Sequence, residues 1–206
     1  MRIVCLSDTH DFHDRLVVPD GDVLLHAGDA TMGGKPFQVE AFARWFAARP
    51  HRHKIVVAGN HDWMFERTPT QARSLLRDVV YLQDDEITVD GLRIWGSPWQ
   101  PWFHDWAFNL ERGPQIAAKW ELIPAGIDVL ITHGPPAGIL DRTSRGEDVG
   151  CADLRRELQR IRPRLHVFGH IHEAYGTVEI DGTRYVNASI CTERYHPVQL
   201  PIVVDL

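Results

Sequence analysis

Short apolar runs recur along the chain, and most of them break off at a glycine or a polar residue. Arg2–Ser7 (RIVCLS), Asp22–Ala27 (DVLLHA), the IVVA that opens Ile55–Asp62, Asp128–Thr132 (DVLIT) and Leu165–Phe168 (LHVF) are continuous rather than alternating. Runs of that kind predict strands covered on both faces. Between the second and third, Phe37, Ala41, Phe42, Trp45 and Phe46 recur at helical spacing and stop before Pro50, so the pattern predicts a crossover helix with an aromatic stripe turned into the core. Thr70–Arg77, Gln115–Leu122 and Cys151–Ile161 read as further helices. Glu86–Gly96 and Tyr175–Asn187 read as hairpins around Asp90-Gly91 and Asp181-Gly182, and Pro201–Asp205 closes the sheet system. Right-handed crossovers place the carboxyl ends of parallel strands along one edge, which is where α/β sheets bind ligands.

Five of the predicted strands end in residues able to hold a metal. They are Asp8-Thr9-His10, Gly28-Asp29, Gly59-Asn60-His61-Asp62, His133-Gly134-Pro135-Pro136 and Gly169-His170-Ile171-His172. In the third cluster Gly59 lets the chain turn, Asn60 offers a neutral oxygen to a hard cation, His61 a proton near neutral pH, and Asp62 a carboxylate to orient that imidazole. Any one cluster is an ordinary polar turn; five in series are not.

Other polar residues carry a blander expectation. Asp11, His13 and Asp14 read as solvated loop residues, and His26, inside a strand, as a hydrogen-bonded core histidine rather than a ligand. Ser97–Leu110 concentrates three of the seven tryptophans in 14 residues. A satellite apolar cluster is the favoured reading there over a lid or base-stacking wall, with His104 and Asp105 exposed. Arg142 and Arg145 can clamp a phosphate, although plain solvent exposure is the favoured account of each.

Composition narrows the setting. At 206 residues and 44% hydrophobic content, with no linker, repeat or low-complexity tract, the chain is expected to form a single domain over 1–206. Twenty-eight acidic against 22 basic residues give a formal charge of −6, which argues against a long nucleic acid as partner and leaves a small anionic substrate open. No leader-like or membrane-spanning apolar run is visible, and Cys5, Cys151 and Cys191 show no paired spacing. A cytoplasmic protein with reduced thiols and no membrane partner is expected.

Taken together, the five motifs resemble those of the calcineurin-like metallophosphoesterase superfamily, in the order found there. The SPWQPWF stretch, the HGPPAGILD loop, GHIHEAYG and the carboxyl-terminal NASICTERYHPVQLPIVVDL are further similar to its brain 239-type branch, associated with cyclic nucleotide phosphodiesterase activity. The resemblance implies a four-layer α-β-β-α sandwich in which two mixed β-sheets are flanked by helices. It also implies one divalent metal held by Asp8, His10, Asp29 and His172 and a second by Asp29, Asn60, His133 and His170, with Asp29 the bridge.

A dinuclear centre of this kind lowers the pKa of its water from 15.7 to about 7 and neutralises an incoming phosphate, with His61 as general acid and Asp62 behind it. Nitrogen and oxygen donors without thiolate favour manganese, with iron or zinc as alternatives, over calcium. The expected function is hydrolysis of a small phosphodiester such as a cyclic nucleotide, by in-line attack of a metal-activated hydroxide. A phosphomonoesterase or protein phosphatase is the alternative, and a non-catalytic metal-binding scaffold ranks last.

Overall fold

A computed structural model describes residues 1–206. Strands β1 (Arg2–Leu6), β2 (Val23–Ala27), β3 (His53–Val57) and β4 (Val80–Tyr81) run parallel to one another, with helices α1 (Pro36–Ala47), α2 (Trp63–Arg67) and α3 (Pro69–Leu75) inserted along the chain. The second half adds β5 (Asp85–Val89), β6 (Leu92–Ser97), β7 (Gln100–Pro101), β8 (Asn109–Leu110), α4 (Pro114–Trp120) and β9 (Val129–Thr132). It continues through α5 (Ala152–Ile161), β10 (Leu165–Phe168), β11 (Gly176–Ile180), β12 (Thr183–Asn187) and β13 (Ile202–Asp205). One sheet has the order β13-β1-β2-β3-β4 and the other β11-β12-β10-β9-β6-β5, while β7 and β8 form a short separate pair. Both large sheets are mixed: β13 is antiparallel to β1, and the β5–β6 and β11–β12 hairpins flank a parallel centre.

Alternation along the strands explains the layering. Ile3 and Cys5 of β1 and Leu25 of β2 meet Ile94, Ile131 and Val167 of the opposite sheet, so one set of side chains fuses the two sheets. The intervening Val4, Leu6 and Leu24 face the other way, onto Phe42 and Phe46 of α1 and Phe65 of α2. On the far side Trp95, Leu130 and Phe168 are covered by Ile116 and Trp120 of α4 and Leu154 and Leu158 of α5. The result is the four-layer α-β-β-α sandwich, and it accounts for the unbroken apolar runs: both faces of the central strands are buried.

Helix ends follow their local chemistry. Pro36, Pro69 and Pro114 each start a helix where the missing amide hydrogen costs nothing. Cys151 caps α5 by accepting from the Leu154 amide, and Arg162 ends that helix with a left-handed φ of 46°. All three cysteines are free and buried. Burial pushes the Cys5 thiol up to about 12, which keeps it protonated and inert.

One polar expectation needs correcting here. His13 is not solvated: it is 3% exposed and packs its ring against Trp45 and Phe42. Its neighbour Asp11 accepts from the Met32 amide and the Gln38 side chain, tying the β1–β2 connection to α1. Only Asp14 is exposed as expected.

His26 is the hydrogen-bonded core residue the pattern suggested. Its Nδ1 accepts from the Gly28 amide, so its Nε2–H donates to Thr9 Oγ1 at 3.0 Å. The second sheet repeats the arrangement: Thr132 donates to the Gly134 carbonyl and accepts from His166 Nε2 at 2.8 Å, leaving a buried bare lone pair on His166 Nδ1. Burial holds both imidazoles neutral, with pKa values down to about 3.

Because these folded-state values lie below the ordinary 6.5, the unfolded chain takes up protons first as the pH falls. The two residues therefore contribute stability that is complete above about pH 6.5 and lost as the pH drops towards 3. The expected slope is about 2.7 kcal/mol per pH unit for the pair. Because His10 and His170 are depressed in the same window, urea titrations of chelator-treated wild type and of His166→Gln between pH 7 and 4 read the His166 share by difference; a difference independent of pH would show that His166 is not buried neutral.

Candidate metal centre

All five predicted clusters converge at one edge of the two packed sheets. Asp8 and His10 follow β1, Asp29 follows β2, Asn60 and His61 follow β3, His133 follows β9, and His170 and His172 follow β10. Three groups of donor atoms lie within 4.8 Å of one another: Asp8, His10 and His172; His10, Asp29 and His61; and Asp29, His133 and His170. Asn60 joins the last through its Oδ1, 2.9 Å from His133 Nε2. Asp29 Oδ2 lies between the groups, 3.7 Å from His10 Nε2 and 3.5 Å from His133 Nε2.

The backbone is bent to achieve this. Asp8, His10, Asp29 and His170 all adopt left-handed φ values, between 42° and 68°. Such conformations are uncommon outside glycine and are retained where surrounding structure over-determines them. Two glycines act by proximity rather than by turning. A Cβ on Gly59 would run into the Asp29 carboxylate and one on Gly169 into Asp8 and Ser7, whereas Gly28 does need its φ of 104°. Gly59 is therefore required for close approach, not for the sharp turn the sequence suggested.

Tautomers can be assigned from the carbonyls. His172 Nδ1 is 2.9 Å from the Thr192 carbonyl and His133 Nδ1 is 3.0 Å from that of Ala27; each must donate there. In the neutral ring the Nε2 lone pair of His172 then faces Asp8 Oδ1 at 3.2 Å, and that of His133 faces the oxygens of Asn60 and Asp29. His10 and His172 also point their Nε2 atoms at each other across 3.4 Å. The fixed lone pairs of His133 and His172 thus face the carboxylate oxygens of Asp29 and Asp8 in a buried site, and a cation placed between them relieves both contacts.

With protein charges alone, protons must serve. Burial disfavours imidazolium, yet Asp29 pushes His133 up to about 9 and Asp8 does the same for His172. Burial likewise opposes ionisation of Asp8 and Asp29, but the neighbouring imidazoles, His172 and His133 foremost, hold both carboxyls well below the usual range. His10 and His170, where burial dominates, drop to about 4 and about 3. Buried nitrogen and oxygen donors, with the His133 and His172 tautomers fixed and no thiolate among them, fit divalent cations.

His61 and Asp62 require separate treatment. The His61 amide donates to Asp29 Oδ1 at 2.8 Å, and its Nδ1 donates to the Met32 carbonyl at 2.9 Å, which leaves Nε2 towards the site, 4.0 Å from Asp29 Oδ2. Asp62 does not orient this ring. Its carboxylate instead accepts from the amides of Gly59, Ala30 and Thr31 and from the Thr31 hydroxyl, locking the loops after β2 and β3 together. The orienting acceptor is a backbone carbonyl, which no side-chain pattern reveals. Burial, then Asp29, raises Asp62 to about 6 against those four donors.

Several contributors were not visible as motifs. Ser189 Oγ lies 2.8 Å from Asp8 Oδ2, and the His170 amide donates to the same carboxylate, so Asp8 is held from β10 and from the segment after β12. Asn187-Ala188-Ser189 ends β12 in polar residues, but that strand reads Thr-Arg-Tyr-Val-Asn with Arg184 exposed, so it lacks the continuous apolar run that marked the other five.

The tryptophan-rich segment divides between its two readings. Trp99 packs edge-on against fully buried Phe108, whereas Trp106 stacks on His61 with centroids 4.3 Å apart. Trp102 and Phe103 are 57% and 54% exposed and line a cavity of about 610 Å³ above the cluster. His104 and Asp105 are exposed.

Arg145 lines the same cavity; Arg142 lies outside it, 70% exposed and beside Asp148. Arg112, unremarked in the sequence, has its guanidinium committed to the carbonyls of Val149 and Gly150, pinning the loop that carries Arg145.

A sandwich of two mixed sheets with Asp, Asn and His side chains gathered at its edge defines a metal-dependent hydrolase, and the comparisons make the class definite. Residues 1–174 match the calcineurin-like phosphoesterase model, so the chain belongs to that family and is a phosphoester hydrolase by descent. It is 49% identical, over its full length and 71% of the other, to human metallophosphoesterase domain-containing protein 1. A UPF0046 protein of Caenorhabditis elegans is 38% identical across the whole chain, which spans 60% of that relative. Among solved structures, TT1561 of Thermus thermophilus shares the fold with a TM-score of 0.58 at 15% identity, covering 90% of this chain and 88% of its own. The NAD nucleotidase of Haemophilus influenzae does so at 0.56 and 16%, the match covering all of this chain and 49% of that one. No helix is long and apolar enough to cross a membrane.

Proposed function

We propose that the protein is a dinuclear-metal-dependent phosphodiesterase for a small ester such as a cyclic nucleotide. The observation that carries the reading is the convergence of Asp8, His10, Asp29, Asn60, His133, His170 and His172 beneath a single cavity into which His61 Nε2 also faces. Asp8, His10, Asp29 and His172 would hold one divalent ion and Asp29, Asn60, His133 and His170 the other, with manganese the preferred occupant and iron or zinc the alternatives. Bound there, the pair would supply Lewis acidity towards phosphoryl oxygens and acidify water near neutral pH.

The remaining work falls to the chain. His61 as imidazolium gives its Nε2 proton to the departing alkoxide oxygen while Nδ1–H stays on the Met32 carbonyl, so the ring keeps its aim through the transfer. Trp106 stacked on that ring, with centroids 4.3 Å apart, restrains it from turning out of the site. Asp29 Oδ1 fixes the His61 amide, linking the general acid to a candidate ligand across the loops after β2 and β3. Ser189 and the His170 amide hold Asp8 against rotation.

Charge around the cavity supports a diester over a monoester. Glu147, Glu173 and Glu193 line it against Arg112 and Arg145, a balance better suited to a monoanion than to a dianion. The volume suits a nucleotide-sized molecule, and Trp102 and Phe103 offer exposed faces for a flat ring. The test is turnover by protein loaded in turn with manganese, iron and zinc, on an aryl phosphodiester, the matching monoester, and 2′,3′- and 3′,5′-cyclic nucleotides. A diester rate at least about tenfold above the monoester rate is expected. A monoester preference would overturn the diester assignment, and silence across the panel would overturn catalysis.

A further inference from the structure

Tyr195 stands at the wall of the same cavity in a backbone conformation that a tyrosine rarely adopts. Its φ is 58°, in the left-handed region. The turn that imposes this is closed on Thr192: the Thr192 amide donates to the His196 carbonyl at 2.9 Å, the Tyr195 amide donates to the Thr192 carbonyl at 2.8 Å, and Thr192 Oγ1 receives the Arg194 and His196 amides. The Thr192 carbonyl is also the acceptor that fixes the His172 tautomer. One residue thus positions both a candidate ligand and the strained tyrosine.

The ring packs edge-to-face on His10, with centroids 4.8 Å apart, and lies 5.8 Å from the His172 ring and 6.2 Å from that of His61. It is 36% exposed and borders the cavity together with Asp29, Asn60 and His61. Its hydroxyl makes no hydrogen bond within the protein, unlike those of Tyr81 and Tyr175, which donate to Gln83 and to the Leu200 carbonyl. A glycine or asparagine would occupy this turn without strain, and an aliphatic side chain would cover His10 without bringing a polar tip.

We propose that Tyr195 is a substrate-contacting catalytic residue whose hydroxyl donates a hydrogen bond to a non-bridging oxygen of the phosphoryl group, on the side of the site occupied by His10 and His172. The proposal rests on the phosphoesterase reading of the centre. It adds a neutral donor to a site otherwise made of acceptors and imidazoles. A phenol ordinarily titrates near 10, so it donates at neutral pH without competing for a metal position. A donor preplaced towards the charge that grows on the phosphoryl oxygens contributes most where water is excluded.

The experiment compares wild type, Tyr195→Phe and Tyr195→Gly, each manganese-loaded and checked for metal content by mass spectrometry. It uses two readouts: kcat and KM on bis(p-nitrophenyl) phosphate, and the affinity for inorganic phosphate by calorimetry. Tyr195→Phe should keep the full metal content and the melting temperature while kcat falls about ten- to hundredfold and phosphate binds several-fold more weakly. Tyr195→Gly, which relieves the backbone, should melt no earlier than Tyr195→Phe and show at least the same losses. If Tyr195→Phe matches wild type within twofold in both readouts, the hydroxyl has no role and the proposal is overturned, even where Tyr195→Gly is impaired. Should wild type itself turn over no ester, the phosphoesterase reading fails on that ground, and the phosphate affinities still decide the contact: unequal values sustain it and equal values end it.

Discussion

Replacing Asp29 by alanine is expected to empty the centre and lower phosphodiester turnover by about 10³ or more. Its Oδ2 is the carboxylate oxygen that faces His10, His61 and His133 together, at 3.7, 4.0 and 3.5 Å, and its Oδ1 anchors the amide of His61. On the proposed reading, removing it would take a shared donor from both ion sites, leave His133 Nε2 facing only the neutral Asn60, and free the turn that aims His61. Elemental analysis should find fewer than two ions per chain after loading. Asp29→Asn, which keeps the shape and loses the charge, separates the electrostatic part from the steric one. Two ions retained at the wild-type rate would refute the bridging role.

His61→Ala is expected to act differently, with metal content intact and a loss that grows with the basicity of the leaving group. For an aryl diester, whose phenolate departs readily, the expected fall in kcat is about 10². For an alkyl diester, whose alkoxide must be protonated as it leaves, it approaches about 10⁴. His61 Nε2 is 4.0 Å from Asp29 Oδ2, its Nδ1 is held by a carbonyl and its face by Trp106, and the backbone amide that binds Asp29 Oδ1 survives the substitution, so deleting the ring leaves the other donors in place. Equal losses on both substrates would mean that His61 positions the substrate or a metal instead of delivering a proton.

The core strands and the five polar clusters were legible because two constraints coincide in them. A strand buried on both faces must be continuously apolar, and it must end abruptly where donors face a ligand. What escaped is what depends on partners distant in sequence. Asp62 reads as the companion of His61, since they are adjacent, yet its carboxylate is claimed by Ala30 and Thr31, roughly thirty positions earlier. His13 reads as loop because polar residues surround it, yet α1 folds over it. Ser189 and Tyr195 lie in the carboxyl-terminal stretch that resembles the brain 239-type branch, but no ligand pattern singles them out, and only the pairing of β12 with β10 and the turn on Thr192 bring them to the site. The short β4, β7 and β8 were not anticipated, being two-residue strands set by their neighbours rather than by their own pattern.

The partition of the donors between the sheets carries a mechanical consequence. Asp8, His10, Asp29 and Asn60 leave the five-stranded sheet, while His133, His170 and His172 leave the six-stranded one. Apolar packing joins the layers along their length, so ions at this rim would rivet the two plates at one end and close loops as long as that from residue 8 to residue 172. A chelator should accordingly quicken amide exchange at Asp8, His10 and Gly169, whose hydrogen bonds run along the rim, while Ile55 and Val167 in the middle of the laminate keep the pace of whole-molecule opening. The fold would then come undone from its working edge inward, like a book whose clasp has been released.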